Sequence, residues 1–156
     1  MLTENALRIQ DFLKEKGINT TVVEFPASTR TAQDAAQAIG CQVAQIVKSL
    51  VFCTKQTNKP ILILVSGANR VDEKVLTNLV AEGVVKASAD FAKETTGFAI
   101  GGVPPCGHKE KIETYIDQDL LQYKEVWAAA GTPHAVFNLS SAALLNLTNG
   151  TVIKVC

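Results

Sequence analysis

Hydrophobic and polar residues follow two different periods along this chain, and the period changes several times between its ends. Over residues 5–16, apolar positions recur every three to four residues and Gly17 follows, which predicts a helix. Its apolar face comprises Ala6, Ile9, Phe12 and Leu13. Residues 20–25 are rich in β-branched side chains and stop at Pro26, which predicts an edge strand.

The middle of the chain predicts a hairpin at the centre of a sheet. Residues 47–54 and 60–66 are apolar runs separated by a short polar connector. A short alanine-rich helix precedes them, since Thr31 opens a capping-box pattern and Gly40 closes the segment. Further helices are predicted over 72–82, over 88–94 and from Ser140 to near Gly150, and further strands over 84–87, 98–100, 112–116, 124–129, 135–139 and 151–155.

This order of elements predicts the fold class. Strands and helices are interspersed, and hairpin-length gaps occur beside helical crossovers. We therefore expect an α/β (mixed α+β) fold, with a strongly curved, mixed, mainly antiparallel, barrel-like sheet surrounded by short helices. No repeat, low-complexity segment or linker divides the sequence, so residues 1–156 are expected to form a single domain.

Composition narrows the class of protein. With 47% hydrophobic and 19% charged residues the chain is typical of a soluble globular protein. The apolar runs are too short to span a bilayer, and the first residues lack a basic-then-apolar signal pattern. Four cysteines without C-x-x-C spacing favour reduced thiols and a cytoplasmic location. The net charge of zero argues against a large electrostatic footprint on nucleic acid.

The segment from Gly101 to His108 is the most distinctive local motif. It contains three glycines and two prolines within eight residues, which describes a backbone held in one rigid shape. Consecutive N–H groups near Gly101 and Gly102 could form a nest for an anion or a developing oxyanion. The alternative is a rigid connection between two elements, with no ligand at all.

Lys48 is the second candidate, because period-two alternation places it on the same strand face as Leu50 and Phe52. Lysine is rarely buried without a partner, since removing water from an ammonium is costly. One interpretation is a pocket lysine that awaits an anionic ligand such as a phosphate. The other is a lysine at the end of a strand that extends its amine to solvent.

The two histidines offer weaker hypotheses. His134 follows a Gly-Thr-Pro turn and could orient a substrate or a water, or hydrogen-bond the local backbone only. Cys106 and His108 could pair a thiolate with an imidazole, or bind zinc together with His134, but neither spacing is distinctive. Asn69 and Arg70 precede a helix start, where Arg70 is a candidate phosphate contact.

Taken in order, these motifs resemble the YbaK/prolyl-tRNA synthetase insertion-domain family of aminoacyl-tRNA editing domains. The resemblance covers nearly the whole chain and depends on the ordered combination, because no single motif is diagnostic. The motifs are the strand-borne Lys48, Ser66-Gly67-x-Asn69-Arg70-Val71-Asp72, Gly101-Gly102-x-x-Pro105-x-Gly107 and Gly131-x-x-His134.

The resemblance implies site residues. Lys48 matches the family lysine associated with the site and the tRNA 3′ end, and Gly101 and Gly102 match the glycine loop of the aminoacyl pocket. His134 matches a position that is histidine in some branches and another residue in the cysteine-specific YbaK branch. These four are the expected catalytic set. The expected substrate and 3′-end contacts are Ser49, where other branches have threonine or asparagine, together with Asn69, Arg70, Gly131 and Thr132.

The resemblance also implies an activity. Family members hydrolyse the ester that joins a wrong amino acid to a tRNA 3′ end. We expect a trans-editing deacylase for tRNA of proline carrying a small residue such as alanine or cysteine, with a synthetase as a further partner. No metal, organic cofactor or membrane is expected. The alternatives are an inactive module that binds aminoacyl-tRNA ends or a synthetase, and a hydrolase that depends on Cys106.

Overall fold

The computed structural model describes residues 2–156, which form five α-helices around an eight-stranded mixed sheet. The helices are α1 (Glu4–Glu15), α2 (Ala32–Ile39), α3 (Glu73–Val80), α4 (Ala89–Thr96) and α5 (Ser141–Thr148). The strands are β1 (Val23–Glu24), β2 (Ile46–Thr54), β3 (Pro60–Ser66), β4 (Val84–Lys86), β5 (Glu113–Asp117), β6 (Glu125–Ala129), β7 (Ala135–Ser140) and β8 (Thr151–Ile153).

The sheet has the order β1-β7-β6-β2-β3-β5-β8, and β4 pairs with β2 outside this path. The β2–β3 hairpin therefore lies at the centre, as predicted from its two apolar runs. Strand pairs of both directions occur, since β2 runs parallel to β6 and antiparallel to β3 and β4. The mixed sheet with short helices confirms the predicted fold class. Within residues 2–156 the end strands β1 and β8 do not pair with each other, so the sheet does not close into a barrel.

One edge of β2 is left partly open, and this opening determines where the site forms. β3 pairs with β2 from Val47 to Cys53 on one side. On the other side, β6 pairs only at Ile46 and Val47, and β4 pairs only from Phe52 to Thr54. Residues 48–51 consequently have no strand beside them on that side.

Apolar burial on both faces of the central hairpin holds the sheet in place. One cluster contains Val47, Val51, Leu62 and Leu64 with side chains of α1, α4 and α5. The opposite cluster contains Phe52, Ile61, Ile63 and Val65 with Leu76 of α3. Side chains of a strand alternate between its two faces. Lys48 therefore lies on the same face of β2 as Leu50 and Phe52, as predicted.

Two predicted strands differ from the structure. The prediction of a strand over 98–100 is wrong, because Gly97 ends α4 with a φ of +85° and the Phe98 N–H donates to Thr96 Oγ1 at 3.0 Å. Phe98 is fully buried, so its hydrophobicity reflects the core and not a strand. The edge strand predicted over 20–25 is confined to β1. The side chain of Gln10 in α1 donates to Thr20 O and accepts from the Val22 N–H, so these main-chain groups do not pair with a strand.

Candidate functional site

A cavity of about 540 Å³ opens beside the free edge of β2. The strands β2 and β6 form its floor, and the loop before α2, the loop after β3 and the start of the glycine-proline segment form its walls. Of the residues predicted from sequence, Lys48, Ser49, Arg70 and Gly101 line the cavity, while Gly102, Asn69, Gly131, Thr132 and His134 do not. Its volume is within the range typical of sites for small organic ligands.

Lys48 is half-buried, and its Nζ donates to the main-chain oxygen of Asn69 at 2.6 Å. Burial lowers the pKa of this lysine, and the neighbouring Arg70 lowers it further. Asp117 acts in the opposite direction, although more weakly than Arg70. The hydrogen bond to Asn69 O therefore fixes the direction of the lysine. The neighbouring cations leave excess positive charge there, which favours binding of an anion.

The side chain of Asn69 supports Lys48 from behind and does not face the cavity. Its Nδ2 donates to Asp117 Oδ2 at 2.9 Å and to Asp119 Oδ2 at 2.8 Å. Asp117 is 1% exposed and also accepts the Ser66 N–H at 3.0 Å, which ties the loop after β3 to β5. This network fixes the carbonyl that holds the lysine.

Positive charge is concentrated around the cavity. Arg30, Arg70 and Lys86 line it together with Lys48, and no aspartate or glutamate is among the described lining residues. Within residues 2–156, none of these four cations forms a salt bridge with a carboxylate. The chain is neutral as a whole, so the cavity is a local electropositive region on a protein without net charge.

The glycine loop contributes differently at its two predicted positions. Gly101 has a φ of +96° and lies under the side chain of Arg30, whose Nε is 2.7 Å from where a Cβ would be. No hydrogen-bond acceptor for the Gly101 N–H occurs among residues 2–156. The Gly102 N–H is occupied, because it donates to Ala99 O at 3.0 Å within the turn. Of these two glycines, Gly101 thus has the free N–H donor and lines the cavity.

Gly102 is required for packing between loops. A Cβ at this position would lie 2.8 Å from the Cα of Thr132. Gly131 has a φ of +92° and is also enclosed, since a Cβ there would lie 3.0 Å from the Phe98 ring and 3.1 Å from the Asn5 main-chain oxygen. The two predicted loops therefore meet as backbone against backbone, and Gly131 and Thr132 support the cavity wall from outside.

His134 lies outside the cavity. Its side chain is exposed, its main-chain oxygen accepts the Phe25 N–H at 2.8 Å, and its N–H donates to Thr132 Oγ1 at 3.1 Å. Both bonds use main-chain atoms of His134, and among residues 2–156 its ring makes no hydrogen bond. The role of the ring in orienting water stays a prediction.

Cys106 and His108 do not form a catalytic pair. Cys106 is 5% exposed, and burial raises the pKa of its thiol to about 12. Burial lowers the pKa of His108, and its Nε2 lies 2.6 Å from the carbonyl oxygen of Pro104. No group of three metal-ligating side chains occurs within residues 2–156. In the same part of the chain, no helix is both long enough and apolar enough to cross a membrane.

Sequence reasoning missed several lining residues. Arg30, Lys86 and Trp127 come from the loop before α2, from β4 and from β6. A lone charge on a short strand or loop carries no periodic signal. The pairing of β2 with β4 and β6 brings Lys86 and Trp127 to the cavity, and packing of the Arg30 side chain against Gly101 brings Arg30 there. Trp127 is partly exposed in the cavity and offers a flat apolar surface.

Comparison with known proteins gives consistent similarities. A family model described as an aminoacyl-tRNA editing domain matches residues 26–147. The crystal structure of a candidate trans-editing enzyme for prolyl-tRNA synthetase superposes with a TM-score of 0.93 at 49% identity, covering 99% of this chain and 98% of that chain.

Two curated bacterial proteins are similar over most of their length. The uncharacterized protein YwhH of Bacillus subtilis is 32% identical over 136 residues, which is 86% of this chain and 86% of YwhH. EbsC of Enterococcus faecalis, named as a candidate Cys-tRNA(Pro)/Cys-tRNA(Cys) deacylase, is 30% identical over 128 residues, covering 80% of this chain and 76% of EbsC.

Proposed function

Because this chain belongs to the aminoacyl-tRNA editing domain family, we propose that it is a trans-editing deacylase. It acts as a single cytoplasmic domain that hydrolyses the ester between a wrong amino acid and the 3′ end of a tRNA. The tRNA is that of proline, and the amino acid is small, such as alanine or cysteine. The similarity to a candidate trans-editing enzyme for prolyl-tRNA synthetase supports this choice and makes that synthetase the proposed partner.

The observation that carries the proposal is the electropositive cavity beside β2. Four cations surround a space of about 540 Å³ whose described lining includes no carboxylate. Single-stranded nucleic acid binds grooves that combine such charges with an aromatic surface on which a base can stack. We assign Lys48 and Arg70 to the phosphate of the terminal nucleotide, and Trp127 to the base.

The chemistry requires little from the protein. Water adds to the acyl carbon, the bond from that carbon to the ribose oxygen breaks, and the proton from water passes to the ribose oxygen. An ester is already activated, so positioning the reactants and stabilising the oxyanion account for the catalysis. We assign the Gly101 N–H to the oxyanion, since it lines the cavity and has no acceptor among the described residues.

A Cys106 nucleophile fits this site poorly. A thiol with a pKa of about 12 is protonated at neutral pH, and Cys106 does not line the cavity. Nucleophilic catalysis by cysteine needs a thiolate that substrate can reach. The burial of Cys106 therefore favours direct attack by water.

The proposal is tested by incubating the protein with tRNA for proline charged with alanine, cysteine or proline. We expect hydrolysis of at least one mischarged species and no acceleration of prolyl-tRNA hydrolysis. Adding prolyl-tRNA synthetase at low tRNA concentration tests the partner, because a functional partner should raise the deacylation rate. Binding of all three charged tRNAs without any hydrolysis would refute the deacylase proposal and favour the alternative of an inactive binding module.

A further inference from the structure

Ser49 is the residue at which the open edge of β2 faces the cavity. The ladder with β6 ends at Val47, and the ladder with β4 begins at Phe52. The Ala87 N–H donates to Val51 O at 3.0 Å, so the main chain of Val51 points toward β4 and away from β3. In an antiparallel pair, residues two apart direct their N–H and C=O to the same side. Ser49 therefore directs both groups into the gap.

The side chain of Ser49 is unsatisfied as well. Its Oγ is buried and has no hydrogen-bond partner among residues 2–156. Buried polar groups in folded proteins are nearly always paired, with protein, water or a ligand. Ser49 thus directs an N–H and a C=O into the gap, where no strand pairs with them, and it also carries a buried hydroxyl without a partner among residues 2–156.

From this arrangement we infer that the aminoacyl group pairs with Ser49 as a single antiparallel strand residue would. An α-aminoacyl ester carries an ammonium and a carbonyl on either side of one α-carbon, which is the spacing of a strand residue that exchanges two hydrogen bonds. The ammonium donates to Ser49 O, and the Ser49 N–H donates to the ester carbonyl. This inference rests on the proposed function and identifies how the protein recognises the aminoacyl group of its substrate.

The pairing would serve both recognition and catalysis. Any α-amino acid can make these two hydrogen bonds, so they select the aminoacyl class and leave the choice of side chain to the cavity wall. The cavity lining includes the small residues Ala87, Ala128 and Ala129. In this pairing the Ser49 N–H faces the oxygen that gains charge when water adds, which is the oxygen assigned above to the Gly101 N–H.

The first test compares substrates that differ only at the α-amino group. Acceptor-stem RNA charged with alanine is compared with the same RNA charged with propionate, which lacks the amino group. Because the ammonium also activates the ester toward water, each kcat/KM is divided by the uncatalysed hydrolysis rate of the same ester. We expect this ratio to be about 10- to 100-fold lower for the propionyl ester, the range for losing one hydrogen bond to a charged group. Equal ratios for both esters would overturn the pairing and leave the deacylase function intact.

The second test removes the Ser49 N–H alone. Semisynthesis replaces Ser49 by its α-hydroxy analogue, which keeps the side chain and changes the main-chain N–H to an oxygen. We expect a loss of about 10-fold or more in kcat for the alanyl ester. The same replacement at Glu110, an exposed loop residue without an acceptor for its N–H within residues 2–156, is the matched control. An equal effect at both positions would contradict the inference.

A third measurement does not depend on catalysis. Titrating the protein with 3′-alanylamino-3′-deoxyadenosine, a hydrolysis-resistant analogue, should move the Ser49 amide resonance downfield in a proton–nitrogen NMR spectrum. The propionylamino analogue should move it less, because it lacks the ammonium that anchors the pair. If the alanyl analogue moves this resonance while no ester is hydrolysed, the pairing stands and the proposed deacylase function fails. An unmoved Ser49 resonance with a saturated cavity would refute the pairing.

Discussion

Replacing Lys48 with methionine is expected to lower deacylation without destabilising the free protein. Methionine keeps most of the length and apolar stem of lysine but has no charge. In the free protein the ammonium is half-buried beside Arg70, and one carbonyl, that of Asn69, holds it at 2.6 Å. The charge is therefore kept at a cost to folding, and its benefit arises when an anion enters.

The magnitudes follow from this environment. The lost hydrogen bond and the relieved burial of charge nearly offset each other, so the free energy of unfolding should change by about 0 to +1 kcal/mol. In the complex, a charged hydrogen bond to phosphate is worth about 1.5–3 kcal/mol, so kcat/KM should fall about 10- to 100-fold. Loss of one phosphate contact should also reduce the slope of log affinity against log salt by about 0.7.

The pH dependence has a definite sign. The pKa of Lys48 in the folded protein lies below its ordinary value of 10.5, so between these two values the unfolded chain binds more protons. Stability then rises with pH across this window, and the destabilisation by the charged lysine is relieved. Any stability advantage of Lys48→Met at neutral pH should therefore shrink as the pH approaches 10.5.

Urea denaturation at neutral and alkaline pH measures the free energy of unfolding. Hydrolysis of charged tRNA over a salt series measures kcat/KM and its dependence on salt. Lys59→Met is the matched control, since Lys59 is 53% exposed in a surface ion pair with Glu113 outside the cavity. If Lys48→Met lowers the free energy of unfolding by more than about 1 kcal/mol, this lysine is a structural residue and the reasoning is refuted. Unchanged kcat/KM would refute its contact with phosphate.

Three further predictions concern the neighbouring loops. Gly102→Ala should destabilise the protein by about 1–3 kcal/mol in urea denaturation, because its Cβ would lie 2.8 Å from the Cα of Thr132. His134→Ala should keep kcat/KM within about threefold of wild type, as expected for an exposed ring that does not line the cavity; a larger loss would assign the ring to the reaction. Iodoacetamide at neutral pH should label the exposed Cys156 before the buried Cys106, as mass spectrometry of peptides can establish, because burial raises the Cys106 pKa to about 12.

The sequence was sufficient to predict the central hairpin and the strand face on which Lys48 lies. Two apolar runs with a polar connector specify paired central strands, and alternation then gives the face of each side chain. Helix starts were equally well marked, since Thr31, Asp72, Ser88 and Ser140 each cap a helix with the side chain. These features are local, so a linear pattern can carry them.

The cavity itself was beyond such patterns. Its charge comes from residues far apart in sequence, and the neutral composition hides it completely. The free donor at Gly101 and the occupied one at Gly102 look identical in sequence, because the difference is a single turn hydrogen bond to Ala99. Ser49 was expected to contact substrate, but its open main chain depends on where β6 stops and β4 starts.

The interruption along β2 also affects how the protein avoids association with other chains. A free sheet edge normally invites another strand to pair with it, and long exposed edges lead to aggregation. Here residues 48–51, which pair with β3 and have no strand on their other side, lie inside the sheet, bounded by β6 at one end and β4 at the other. An incoming strand would collide with one of them before it could align. The fold thus keeps hydrogen-bonding backbone available to a small molecule while denying it to a polypeptide.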